Sequence, residues 1–159
     1  MEIREATADD APVLADVIRR AFRAIAQRLD ITPDNCPTHP SNCMPDWVEA
    51  DLDKGVVYFI LYEGDAPQGC VALERADEKV CYLRRLAVLP EYQGNGYGLT
   101  LVNHVLSRAK EIGCTRVEIA LVAGDTDLRA WYERRGFVFR KIARYEHLPF
   151  TVLFMYTDV

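Results

Sequence analysis

The stretch Pro90-Glu91-Tyr92-Gln93-Gly94-Asn95-Gly96-Tyr97-Gly98 decides the fold. An apolar run, Val80 to Val88, leads into it. A helical pattern leaves it, with Leu101, Val102, Val105, Leu106, Ala109 and Ile112 on one face until Gly113 closes the helix. Glycine has no Cβ, accepts positive φ and lets a bound group approach the backbone. A helix starting there leaves its first N–H groups unpaired, and the dipole adds to their attraction for an anion. A tight turn needs one glycine. Gly94, Gly96 and Gly98 in one short loop predict a phosphate or pyrophosphate cradle.

Outward from the loop, the pattern alternates between strands and helices. Ile3 to Ala6 reads as an opening strand. Thr7 is an N-cap with Asp9 and Asp10 in the first turn, followed by apolar positions from Val13 to Leu29 at helical spacing. Between Asp30 and Pro45 periodicity fails in a proline-rich loop, and a short helix runs from Pro45 to Leu52. Val56 to Tyr62, Gly69 to Glu74 and Val80 to Val88 form an antiparallel meander. After the glycine-loop helix come a strand from Arg116 to Val122 and a helix capped by Asp125 or Thr126 that runs to Arg135. Two last strands follow, Phe137 to Arg144 and Thr151 to Tyr156. The order β-α-α-β-β-β-α-β-α-β-β predicts one α/β (α+β) domain over residues 1–159. Its mixed, mostly antiparallel sheet has about seven strands and is flanked by four helices.

Composition narrows the function. A chain of 159 residues with 50% hydrophobic content can bury a core without metal or disulfide support. The net charge of −5 argues against non-specific nucleic-acid binding, which draws on basic side chains. No apolar run of about 18 residues spans a membrane, and the N-terminus lacks a signal-peptide pattern. Five cysteines at irregular spacing, without Cys-x-x-Cys, predict free thiols in a reducing cytoplasm.

Three phosphate loops compete for the central motif. A P-loop needs Lys and then Ser or Thr after its last glycine, but Leu99 and Thr100 follow Gly98. A dinucleotide fingerprint needs G-x-G-x-x-G and a strand-end acid; the loop is G-x-G-x-G, and Glu118 lies mid-strand. The third reading fits. Gln93-x-x-Gly96-x-Gly98, preceded by Leu86-Ala87-Val88-x-Pro90-Glu91-Tyr92, resembles the acetyl-CoA-binding motif of the GNAT superfamily of N-acetyltransferases. That pattern is Gln or Arg, two residues, Gly, one residue, then Gly or Ala. Trp131-Tyr132-Glu133-x-x-Gly136-Phe137 resembles the family's second block.

The resemblance implies acetyl-CoA as cosubstrate and direct attack of an amine on the thioester. It assigns the pyrophosphate to the backbone of Gly94, Asn95, Gly96, Tyr97, Gly98 and Leu99, with Gln93 beside them. The pantetheine arm falls to Leu86, Ala87 and Val88, in a strand whose alternation breaks at Arg84-Arg85 and suits a bulge. Tyr132 matches the family's general acid for the leaving thiolate. Asp125 stands where the family often has an asparagine, and it retains only an acceptor for cofactor contact.

The general base stays open among Glu74, Glu118, His39 and His147. The acceptor side implied by the resemblance comprises His39, Asn42, Trp47, Glu74 and His147. Cys36, His39 and Cys43 match no common zinc spacing and lack a fourth ligand, so no metal is expected. A homodimer through the last strands is compatible with this order. Two other functions remain: a CoA-binding sensor without turnover, and a nucleotide-binding module.

Overall fold

The computed structural model describes residues 1–159. It contains β1 (Glu2–Glu5), α1 (Ala11–Arg28), α2 (Pro45–Asp53), β2 (Val57–Glu63), β3 (Ala66–Arg75), β4 (Val80–Val88) and α3 (Tyr97–Glu111). These are followed by β5 (Arg116–Val122), α4 (Thr126–Glu133), β6 (Val138–Arg144) and β7 (Thr151–Asp158). The order is the one the sequence predicts. A 3₁₀ turn over Ala8–Asp10 precedes α1, so Thr7 acts one turn early: its N–H donates to the Asp10 carboxylate at 2.8 Å. Pro45 occupies the first turn of α2, where its missing N–H has no partner to lose.

One seven-stranded sheet runs β1-β2-β3-β4-β5-β7-β6. Alternation along β2 sends Tyr58 and Ile60 to one face and Phe59 and Leu61 to the other. On the first face α1 and α2 supply Leu14, Val17, Ile18 and Val48; on the second α3 and α4 supply Leu101, Val105 and Tyr132. Each fully buried aliphatic side chain contributes about 1.5–3 kcal/mol to this two-sided core.

Only β4 and β5 are parallel, and they pair over Val80–Tyr82 and Arg116–Glu118 alone. Beyond that point β5 follows β7 to Val122 while β4 follows β3, so the sheet opens into a fork. Ala26, Ile31 and Cys36 pack with Leu29, Val122, Leu148 and Phe150 in a small separate core, beside the C-terminal end of β5.

The cysteines depart from expectation. Cys81 and Cys114 form a disulfide, while Cys36, Cys43 and Cys70 are free and buried. The parallel register sets Cys81 opposite Val117, which brings the turn before β5 and its Cys114 alongside. A separation of 33 residues carries no sequence signature of that approach. Cys70 and Cys81 lie on the neighbouring strands β3 and β4 but enter opposite cores. No helix is long and apolar enough to cross a membrane.

Candidate active site

The glycine loop begins after a 3₁₀ turn, Pro90–Tyr92, and ends as the cap of α3. Gly94 and Gly96 have φ of 85° and 81°, in the left-handed region that side chains disfavour. As a result the N–H groups of Gly94, Asn95, Gly96, Tyr97, Gly98 and Leu99 donate to nothing within the chain; the first helical donor below them, Thr100, returns to Gly96 O at 3.1 Å. Side chains brace the loop from outside. Gln93 Nε2 donates to Val88 O at 3.2 Å, Asn95 Nδ2 to Tyr92 O at 3.0 Å, and the Tyr97 hydroxyl to Glu63 at 3.2 Å. Gly98 lies under Trp131, whose ring would stand 3.3 Å from an added Cβ. From Pro90 to Ser107 the chain has no Lys or Arg. The cation beside the loop comes from α1: Arg20 meets Glu91 at 2.8 Å, and Arg23 and Gln27 line the same groove of about 210 Å³.

The loop stands at the open end of the fork. Leu86 and Val88 lean on the α3 side and Ala87 is buried on the α1 side, so the three residues flank the gap by their backbone. Tyr132 is buried edge-on between Trp131 and Phe137, at centroid distances of 5.1 and 5.2 Å. Burial pushes its phenol well above the ordinary value, so it stays protonated at neutral pH. Its hydroxyl bonds to no group of the chain and is not among the sealed, unpartnered polar atoms, which are Gln68 Oε1, Arg108 Nε and Arg135 Nε. Asp125 takes the capping role that the sequence offers it. Its carboxylate caps α4 through Leu128 N–H at 3.3 Å and accepts from Arg28 at 3.0 Å, so it holds α1 to α4.

On the α1/α2 face the expected acceptor residues are dispersed. His39 is 6% exposed and caps the Pro40–Asn42 turn; its Nδ1 accepts from Ser41 N–H at 3.2 Å. Burial lowers its pKa, and with Nδ1 engaged the neutral ring carries its proton on Nε2. That makes His39 a donor rather than a base. Asn42 secures the same loop through Cys36 O at 3.2 Å. Cys36 and Cys43 belong to different cores and form no ligand set with His39. His147 is exposed beside Tyr145. Glu74, Tyr82 and Glu118 form one row across three strands at the closed end of the fork. Both carboxylates are paired, Glu74 with Arg84 at 2.8 Å and Glu118 with Arg140 at 3.1 Å.

Sequence reasoning missed the best-connected polar group on this face. Asp51 of α2 is 8% exposed; it accepts from the Tyr58 hydroxyl at 2.6 Å and from Arg85 at 2.8 Å, with Arg84 at 3.7 Å. The available signal was a carboxylate three residues after the buried Val48, on the inward side of a short helix. Trp47 stands over Arg85, 5.9 Å from ring to guanidinium. A cavity of about 520 Å³ lies at the other end of the β4–β5 pairing among Lys79, Val80, Thr115, Arg116, Asp158 and Val159, away from the loop and Tyr132.

The residues present fit a long, anionic, thioester-bearing molecule. Free N–H groups suit phosphates, an open strand edge suits an extended amide arm, and the Tyr132 phenol is uncommitted. A model of the acetyltransferase (GNAT) family matches residues 19–137. An amino-acid acetyltransferase of Neisseria meningitidis is 34% identical over 102 residues, which are 63% of this chain and 22% of that protein. The chain thus spans about a fifth of the length of that curated relative. The crystal structure of ribosomal-protein-alanine N-acetyltransferase from Brucella melitensis superposes with a TM-score of 0.74 at 19% identity, covering 100% of both chains. A GNAT family acetyltransferase from Elizabethkingia anophelis, with acetyl-CoA bound, gives 0.73 at 15% identity, covering 99% of this chain and 97% of the other. At those identities the likeness is one of fold.

Proposed function

The chain belongs to the GNAT acetyltransferase family, and from that premise we propose that it moves the acetyl group of acetyl-CoA, the family's cosubstrate, onto a primary amine of a small molecule or peptide, within a ternary complex. One observation carries this reading: six consecutive unpaired N–H groups, Gly94 to Leu99, stand at the open end of the β4–β5 fork. They hold the pyrophosphate, with Arg20 and Arg23 supplying the charge that the loop lacks. The backbone of Leu86 to Val88 pairs with the pantetheine arm as a strand edge would.

The amine nitrogen forms a bond to the carbonyl carbon as the C–S bond breaks, and the nitrogen gives up a proton. Tyr132 donates a hydrogen bond to the departing sulfur. A departing thiolate, whose conjugate thiol has a pKa of about 8.5, is too weak a base to strip a phenol held above its usual value, so the phenol stabilises the developing thiolate charge and does not surrender its proton outright. Glu74 and Glu118, flanking Tyr82, are the carboxylates nearest the closed end of the fork and receive the ammonium proton, through water. The net negative charge steers a cationic acceptor.

A second reading has its own support. Both carboxylates are paired with arginine, His39 faces its own turn and His147 is exposed, so none of the four candidates is a buried, unpaired base. That is what a CoA-binding sensor would look like. The test is a thermal-shift series with acetyl-CoA, CoA, ATP and NAD, followed by thiol release with a panel of amines. At about a hundred times its dissociation constant a ligand adds roughly 2.7 kcal/mol. An enzyme is stabilised by both CoA forms, turns over, and in Tyr132→Phe loses rate with unchanged cofactor affinity. Stabilisation without turnover in either form identifies the sensor. No shift with either CoA form overturns both.

A further inference from the structure

Arg85 is where β4 changes step. Arg84 pairs with Ala72 and Ala87 with Cys70, so Arg85 and Leu86 stand together opposite Val71. Leu83 and Leu86 both pack on the α3 side, which leaves two consecutive arginines on the α1/α2 side. Arg85 adopts φ of 52°, a conformation that a non-glycine residue keeps only where its surroundings over-determine it.

Here the surroundings are polar and buried. The Arg85 side chain is 13% exposed, and its Nη1 donates to Asp51 Oδ2 at 2.8 Å and to the Tyr58 hydroxyl oxygen at 2.7 Å. Tyr58 in turn donates to the same carboxylate oxygen at 2.6 Å. Three elements meet at this point: α2 through Asp51, β2 through Tyr58, and the bulge of β4 through Arg85. Arg85 Nη1 and the Tyr58 hydroxyl converge on one carboxylate oxygen, so the three side chains bond one another and tie the three elements together.

We propose that the Asp51–Tyr58–Arg85 cluster is a positioning device for acetyl transfer: it holds the bulge of β4, and with it the backbone of Leu86 that flanks the fork, in register with the acceptor-side helix α2. The proposal rests on the functional reading above, because it assumes that β4 lines the cosubstrate. It assigns to Arg85 no contact with either reactant. A misplacement of the strand by a fraction of an ångström changes the attack geometry without touching the phosphate loop, so the rate responds and the cofactor affinity does not.

The test uses Arg85→Gly and Arg85→Lys in the full chain. Glycine accepts the left-handed φ, so the first variant keeps the backbone conformation open while deleting the guanidinium. The assays are acetyl-CoA affinity by calorimetry, thermal melting, and thiol release with free amino acids and short peptides bearing a free α-amine. In Arg85→Gly, kcat falls on the order of a hundredfold while acetyl-CoA affinity stays within about threefold, the split of a residue that matters only during reaction. Added guanidinium ion, at concentrations that leave the melt unchanged, restores part of the rate. Arg85→Lys, which keeps the charge but not the fork of donors, falls between the two.

Full rate in a folded Arg85→Gly overturns the proposal. So does a proportional loss of kcat, affinity and folded fraction without rescue, which marks a purely structural cluster. A wild-type chain that binds acetyl-CoA and turns over in these assays keeps the functional reading in either case. A wild-type chain that does not bind it overturns both.

Discussion

Two regions, one within β4 and one in the loop that follows it, are held by opposite means. The loop from Gly94 to Leu99 works by what it leaves out: no Cβ at the turns, no internal acceptor for its N–H groups, and no charged side chain. The bulge at Arg85 works by what it joins, a buried carboxylate, phenol and guanidinium that hydrogen-bond one another. The first region tolerates any change that keeps its backbone free. The second tolerates almost no change of charge, because each partner is buried on the strength of the others. A backbone site is broken by adding atoms, and a closed polar cluster by removing them.

The largest effect that would sharpen this contrast is Asp51→Ala. It leaves the Arg85 guanidinium buried without its counter-charge and costs about 3–5 kcal/mol in urea unfolding. A loss below about 1 kcal/mol, the ordinary size for a point change, would show that the cluster is solvated and the contrast false.

Gly96→Ala probes the other side. An L side chain at φ of 81° is strained by about 1–2 kcal/mol, and relaxation of the loop turns its N–H groups away from the bound anion. Calorimetry is expected to show acetyl-CoA affinity reduced about tenfold, with a modest fall in melting temperature. Unchanged affinity would separate the loop from the cofactor.

The smallest effect concerns pH. Burial holds His39 below its usual 6.5 in the folded chain, whereas the unfolded chain takes up a proton near that value. Below pH 6.5 the unfolded state therefore binds more protons, stability rises with pH through this window, and it is lost as pH falls through it. His104, lowered by burial and by Arg108, adds to the same slope. His39→Gln flattens the stability curve between about pH 6.5 and 5, measured by urea unfolding; an unchanged slope would mean that the ring titrates freely in the fold.

The two regions also differed in how far they could be read from sequence. The glycine loop, the helix it opens and the Tyr132 block are local patterns, and the element order followed from hydrophobic period and turn residues alone. The break at Arg84-Arg85 was visible as a lapse in alternation, and the structure places a bulge there. What the lapse was for could not be read. Asp51 and Arg85 are 34 positions apart, and nothing in either neighbourhood names the other. The Cys81–Cys114 bond was hidden for the same reason. Asp125 was visible as a cap, but its second partner, Arg28, lies 97 positions away on α1. Local chemistry leaves a mark in the string of residues; a meeting arranged by the sheet does not.

The fork also makes the molecule a peg with one sprung end. The plate β1-β2-β3-β4 and the plate β5-β7-β6 share a seam only from Val80 to Tyr82, and the Cys81–Cys114 bond rivets that seam. At the jaws the fastenings are lighter: the Arg28–Asp125 ion pair, whose arginine is 58% exposed, and the apolar patch around Ile31, Val122 and Phe150. The vertex is thus held by a covalent bond and backbone pairing, the mouth by one half-exposed ion pair and an apolar patch, so the weaker joint lies at the glycine-loop end.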